Sequence, residues 1–211
     1  MKKVMLLAVC VAMVLSARGG AEEQPVTPQA KTELFNGKDL SGWVTHSKSN
    51  VPAAVWSVQD GLLKCVGKPS GYLRTEKAYA NYKVTVEWRF AKAGNTGVLV
   101  HMNGPEKIWP LCVECQGMHK AQGDMYFWSG AKAQELTKGV KVPRKGADAE
   151  KPVGEWNLYQ VVCAQDTVTI LVNGQEMNRA TGCHPAAGKI GLQSEGAQLE
   201  VRRVTLEPLA P

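Results

Sequence analysis

Tyr82-Lys83-Val84-Thr85-Val86-Glu87-Trp88-Arg89-Phe90 alternates without interruption. Val84, Val86, Trp88 and Phe90 fall on one side, and Thr85, Glu87 and Arg89 on the other. That period of two marks a strand with one buried face. The pattern recurs on both sides of this stretch. Upstream, Val55–Val58 leads into Asp60-Gly61 and returns through Leu62–Val66, a hairpin turned by a dipeptide that tolerates positive φ at both positions. Downstream, Gly97–Met102 puts Val98, Val100 and Met102 on one face and Gly97, Leu99 and His101 on the other. Leu111–Gln116, Trp156–Ala164, Val168–Val172, Gln175–Asn178 (entered through Asn173-Gly174), Lys189–Gln193 and Gln198–Leu206 follow. About ten strands with no amphipathic helix predict an all-β chain whose two sheets bury their apolar faces against each other. A closed barrel is the lesser alternative.

Lys2 and Lys3 precede the apolar run Val4–Leu15, and small residues follow from Ser16 to Ala21. This order predicts a signal peptide over residues 1–21 and an exported protein, periplasmic or secreted. The run is shorter than the roughly 20 apolar residues of a bilayer span, so no transmembrane segment is expected. Val9 is bulkier than the residue a lipidation site prefers before its cysteine, and a lipoprotein anchor at Cys10 is not expected. Residues 22–31, rich in Pro and Gln, read as a flexible lead-in, and residues 32–209 as a single β-sandwich domain.

The formal charge is +6, but its longest basic cluster, Lys138–Lys145, lies in a Gly/Pro loop without aromatics. That argues against a nucleic-acid partner. Beyond the signal segment stand Cys65, Cys112, Cys115, Cys163 and Cys183, an odd number, so at least one thiol stays free or pairs between chains. Cys112 and Cys115 have CxxC spacing but no second ligand pair, and positions three apart on a strand face opposite sides. They read as ordinary sheet residues. No metal site and no cofactor is predicted, and these patterns do not decide whether a divalent cation binds.

Glu87 with Arg89, His101, and Glu114 with Gln116 hold the non-core phase of three strands consecutive in sequence. If those strands are neighbours, the side chains converge on one patch, with carboxylates and an imidazole for proton transfer and paired groups for vicinal hydroxyls. The bland alternative is a cross-strand ion pair of Arg89 with Glu87 or Glu114 on a solvated face. Trp109, Tyr126, Phe127 and Trp128, in or beside long loops flanking the Glu114 strand, are candidates for stacking on sugar rings. Trp43, Trp56, Trp88 and Trp156 are assigned to core or hinge packing. His119, three residues after Gln116, is the other histidine within reach.

Leu34-Phe35-Asn36-Gly37-Lys38-Asp39-Leu40-Ser41-Gly42-Trp43, Leu73-Arg74-Thr75 with Tyr79-Ala80-Asn81-Tyr82, Gly94-Asn95-Thr96-Gly97-Val98, Glu114-Cys115-Gln116, Gly123-Asp124, Gly154-Glu155-Trp156-Asn157 and Gly188-Lys189-Ile190-Gly191-Leu192-Gln193 appear in that order. Together they resemble the 3-keto-disaccharide hydrolase family, from Glu33 almost to the C-terminus. Val201-Arg202-Arg203-Val204 departs from the family's pattern by an Arg at its third place. The resemblance implies a concanavalin A-like (lectin/glucanase) jelly-roll sandwich and a carbohydrate substrate or ligand. It implies a hydrolase or lyase acting by acid/base chemistry on 3-keto-glycosides, with a non-catalytic carbohydrate-binding module as the alternative. Carried onto this chain, Glu114 is the acid or base; His101, which belongs to no family motif, is a candidate proton shuttle, and Glu87 a second carboxylate of the expected patch. Asn95 and Gln116 hold hydroxyls, and Arg89 or Arg202 stabilises developing negative charge. His119, Asp124, Trp128 and Glu195 line the site.

Overall fold

The computed structural model describes residues 24–48 and 55–209. The signal segment, Cys10 and the first residues of the lead-in lie outside them. Fifteen strands follow one another: β1 Thr32–Glu33, β2 Trp43–Ser47, β3 Trp56–Gln59, β4 Leu62–Cys65, β5 Gly71–Thr75, β6 Tyr82–Phe90, β7 Gly97–Asn103, β8 Leu111–Gln116, β9 Met125–Trp128, β10 Lys141–Val142, β11 Asn157–Ala164, β12 Thr167–Val172, β13 Gln175–Ala180, β14 Lys189–Ser194 and β15 Leu199–Pro208. They form two antiparallel sheets. Sheet I runs β13-β12-β11-β6-β15-β4-β3, with β1 also on β15, and sheet II runs β10-β9-β8-β7-β14-β5-β2. The chain is the expected all-β, two-sheet jelly-roll sandwich.

Both dipeptide turns form as the sequence specifies. Asp60 and Gly61 have φ of 55° and 74°, and Asn173 and Gly174 have 51° and 86°, the type I′ requirement. The apolar phase of β6 faces inward, where the fully buried Trp88 packs against Tyr159 at 4.7 Å and Phe90 at 6.3 Å. Sheet II supplies the other side of the core through Leu73, Val98, Val100, Val113, Cys115, Phe127 and Leu192. Gly117 is required here, since a Cβ on it would stand 2.7 Å from Trp88 Cη2.

Three expectations about placement are corrected. The lead-in is held from Val26, whose N–H donates to the Ala78 carbonyl while its own carbonyl accepts from Ala80 N–H. Its backbone forms an isolated β-bridge with Tyr79 there, which composition does not reveal. Tyr126 and Trp128, expected in or beside a loop, lie on strand β9. Strands β6 and β7, consecutive in sequence, belong to different sheets. Residues 91–96 carry the chain across, close under Ala197: a Cβ on Gly94 would stand 2.6 Å from its Cα.

Among the described residues the five cysteines are all free and buried. Cys112 faces outward from sheet II and Cys115 inward, as the alternation requires. Among the described residues no helix is long and apolar enough to cross a membrane.

Candidate functional site

The crossing between β6 and β7 splits the expected patch. Glu87 is on the outer face of sheet I, where it accepts from Arg202 Nε at 2.7 Å and Arg203 Nη2 at 2.6 Å. Arg89 is on the same face and pairs with Glu200 at 2.6 Å. Trp156, which the sequence assigns to core or hinge, is half-buried here and flanked by the guanidinium groups of Arg89 and Arg202 at 4.7 and 4.6 Å from its ring. The three charged residues therefore stand with sheet I, separated by the whole core from Glu114.

His101 is removed for a different reason. A bulge in β7 gives it a φ of 55° and shifts the register between Val100 and Asn103. The alternation inverts there, so Met102 joins the outward side and His101 turns into the core, edge-on to Tyr82 at 6.5 Å. Burial pushes its imidazole down to about 4, and both ring nitrogens are buried without a well-formed hydrogen bond. A neutral, sealed imidazole cannot shuttle protons to Glu114.

Gln116, His119 and Asp124 are committed to their own loop. Gln116 Oε1 accepts from Met118 N–H at 2.9 Å. Asp124 accepts from Arg144 N–H at 2.8 Å and pairs with Lys141 at 2.7 Å. His119 Nδ1 lies 3.0 Å from Glu150 Oε1, and Glu150 also accepts from Lys120 N–H and Gln122 Nε2. These contacts fasten the segment after β8.

Glu114, Trp128, Asn95 and Glu195 do come together, on the outer face of sheet II. Strand register aligns Tyr126, Glu114, Leu99, Gly191 and Arg74 in one row across the sheet, and Gln116, Gly97, Gln193, Tyr72 and His46 in the next. Glu114 is 2% exposed and accepts from Trp128 Nε1 at 2.5 Å. Burial pushes its carboxyl up to about 7, aided by the nearby Glu195 and opposed by the bonds from Trp128 and Gln193. Burial also raises Glu195, whose Oε2 accepts from Asn95 Nδ2 at 2.8 Å. Gly97 leaves the floor open, because a Cβ there would come within 3.4 Å of both Glu114 Cγ and Gln193 Oε1. The Tyr126 and Trp128 rings are stacked, with centroids 5.8 Å apart and planes within 6° of parallel, and Trp109 lies against Trp128 at 5.9 Å. An aromatic ledge thus borders a dry carboxyl, an arrangement suited to a sugar ring that stacks and exchanges protons.

Tyr72, Leu99, Met102 and Cys112 form a second apolar cluster between this ledge and the far edge of the sheet. The loop 104–110 passes over it, tied by the Arg74–Glu106 ion pair and by Ser129 Oγ donating to the Trp109 carbonyl at 2.8 Å. Beyond the cluster a cleft of about 480 Å³ opens, lined by Tyr72, Arg74, Met102, Glu106, Lys189 and the lead-in residues Gln24 and Pro25. Glu114 is not in its wall; the cleft adjoins the carboxyl site through Tyr72 and Met102. Gln193 and Tyr72 are the members that sequence reasoning did not assign to the site. Register counting from Glu114 finds them once the order β9-β8-β7-β14-β5 is known.

The model of the 3-keto-alpha-glucoside-1,2-lyase-like domain family matches residues 30–207. The chain belongs to that family. Membership supports a carbohydrate-active role. A 3-keto-disaccharide hydrolase of Bacteroides thetaiotaomicron is 23% identical over 171 residues, covering 72% of this chain and 57% of the relative. The chain thus spans little more than half the length of that curated relative. Two solved structures share the fold of this 3-keto-alpha-glucoside-1,2-lyase-like domain. A candidate glycosyl hydrolase of Parabacteroides distasonis superposes with a TM-score of 0.66 at 23% identity, covering 86% of this chain and 94% of the other. The carbohydrate-binding module CBM66 of Bacillus subtilis gives 0.58 at 12% identity, covering 79% and 95%.

Proposed function

We propose that this chain cleaves glycosides oxidised at C3, with Glu114 and Glu195 as the proton-transferring pair. The observation that carries the reading is the Glu114 carboxyl, desolvated beneath the Tyr126–Trp128 ledge and next to a second carboxyl. A 3-keto group acidifies the proton on C2. A carboxylate removes that proton, the C2–H electrons pass into the C3 enolate, and on collapse the C1–O bond breaks. The departing oxygen takes a proton from the other carboxyl. Water then adds across the C1–C2 double bond, so the net change is hydrolysis. Asn95 and Gln193 hold ring hydroxyls, and the group attached to the keto sugar extends over Leu99 and Met102 toward the cleft. Residues 2–21 support action outside the cytoplasm. N-terminal sequencing of the cell-fractionated protein tests that part.

Incubation with a 3-keto-disaccharide, followed by assay of free sugar, tests the reaction. Glu114→Gln keeps the shape and removes the proton; its turnover is expected to fall by about 10²–10⁴. Undiminished turnover in that variant would sink the assignment. The aromatic ledge by itself favours a second reading, a sugar-binding module. Binding of the keto sugar without cleavage by the unmodified protein would establish it.

A further inference from the structure

Asn95, Glu114, Gln193 and Glu195 form a cluster whose hydrogen bonds do not close. The Asn95 amide nitrogen is spent on Glu195 Oε2, and its Oδ1 is buried with no donor. The opposite orientation would set a carbonyl against a carboxylate, so Glu195 fixes which way the amide points. Gln193 is 4% exposed, and its Oε1 is also buried with no donor. That oxygen and Glu114 Cγ border the space left by the missing Cβ of Gly97. A buried acceptor without a donor costs on the order of 1–3 kcal/mol, which makes two in one cluster a feature that calls for a ligand.

The charges point the same way. Among the described residues neither Glu114 nor Glu195 pairs with a Lys, Arg or His; their partners are the indole N–H and the side-chain amides of Gln193 and Asn95. A sugar hydroxyl can satisfy an orphaned carbonyl oxygen but leaves two adjacent carboxylates uncompensated. A divalent cation does both. Carboxylate and amide oxygens on short, partly rigid side chains are the donor set of hard cations. Ca²⁺ and Mn²⁺ accept irregular sets more readily than Mg²⁺, which holds its waters and demands a near-octahedron.

We propose that Asn95 Oδ1, Gln193 Oε1 and the Glu195 carboxylate, with Glu114 alongside, bind one divalent cation of the Ca²⁺ or Mn²⁺ class. The inference goes beyond the keto-glycoside reading and is tested without any sugar. Protein stripped with EDTA is titrated with CaCl₂, MnCl₂ and MgCl₂ by calorimetry, and its thermal unfolding is followed at each concentration. One cation per chain is expected, with Tm rising once the concentration passes Kd. Glu195→Gln and Gln193→Met should each weaken binding at least about tenfold. Glu106→Gln, a carboxylate elsewhere on the same face, should leave it unchanged. Asn95→Asp keeps the acceptor and adds a charge, so its EDTA form should melt lower and gain more from the cation. The EDTA-form Tm of every variant separates lost ligation from lost folding.

No heat and no Tm shift with any of the three salts at millimolar concentration overturns the proposal. So does binding that is indifferent to Glu195→Gln and Gln193→Met, which would assign it to surface carboxylates. Turnover is read separately. Cation binding without cleavage keeps this inference and defeats the proposed reaction, whereas cleavage that persists in EDTA without binding does the reverse.

Discussion

The outer faces of the two sheets carry the same kinds of side chain to opposite ends. On sheet I, Glu87 lies between Arg202 and Arg203, Glu200 between Arg89 and Lys64, and Trp156 between two guanidinium groups. Each carboxylate there has a cation, and the face is closed upon itself. On sheet II, Glu114 and Glu195 stand together without a cationic side chain, two amide oxygens lack donors, and a glycine keeps the floor open. Polar residues on a sheet become a site by being left incomplete, not by being numerous. Sequence alternation shows both faces equally well and cannot say which is complete.

The sharpest way to break this contrast is to neutralise one carboxylate from each face. Glu114→Gln is expected to cost the hundredfold or more in turnover stated above, whereas Glu87→Gln should leave turnover within about twofold while loosening two arginines. Equal losses, measured with the same keto-disaccharide, would erase the distinction between the faces.

A second test uses stability against pH. His101 titrates in the fold near 4, below its ordinary 6.5, so the unfolded chain binds more protons between those values and His101 makes the fold less stable as pH falls from 6.5. Glu114 is displaced upward to about 7, so the fold binds more protons than the unfolded chain and gains stability over the same descent. The two oppose each other in the wild type. Between pH 6.5 and 5, in EDTA, Glu114→Gln should lose about 1.5 kcal/mol relative to wild type, and His101→Asn should gain a similar amount. Asn tolerates the positive φ at position 101, so the sign of the slope, read from urea unfolding, is separable from the cavity the change creates.

The smallest expected effect lies on sheet I. A double-mutant cycle on Arg89→Ala and Glu200→Ala should give a coupling of about 0.5 kcal/mol, because both side chains are partly solvated. A coupling of several kcal/mol would mean that this face, too, is sealed from water.

Much of the fold is legible in the sequence. The β6 alternation, the Asp60-Gly61 and Asn173-Gly174 turns and the CxxC residues facing opposite ways all follow from local geometry, since a strand's period and a turn's φ depend on adjacent residues. The short strands β1, β2, β5, β9 and β10 were not read, because two to five residues carry too little alternation to stand out from a loop. Of the candidate site, Glu114, Trp128, Asn95 and Glu195 were named and are assembled. Glu87, Arg89 and Arg202 were named beside them and lie across the core. Consecutive strands usually pair, and β6 and β7 do not, which leaves these three on the other sheet. His101 was lost to a single bulge, which reverses every side-chain direction beyond it. The sequence by itself determined that the chain is an all-β sandwich and which residues share a face of a strand, because those are short-range consequences of backbone sterics and hydrophobic alternation. Which strands stand side by side, and therefore that Gln193 and Glu195 meet Glu114 from 79 and 81 residues away, was decided by tertiary structure alone. Pairing between distant strands is settled by how the two sheets bury their common core, and that information belongs to no local stretch of the chain.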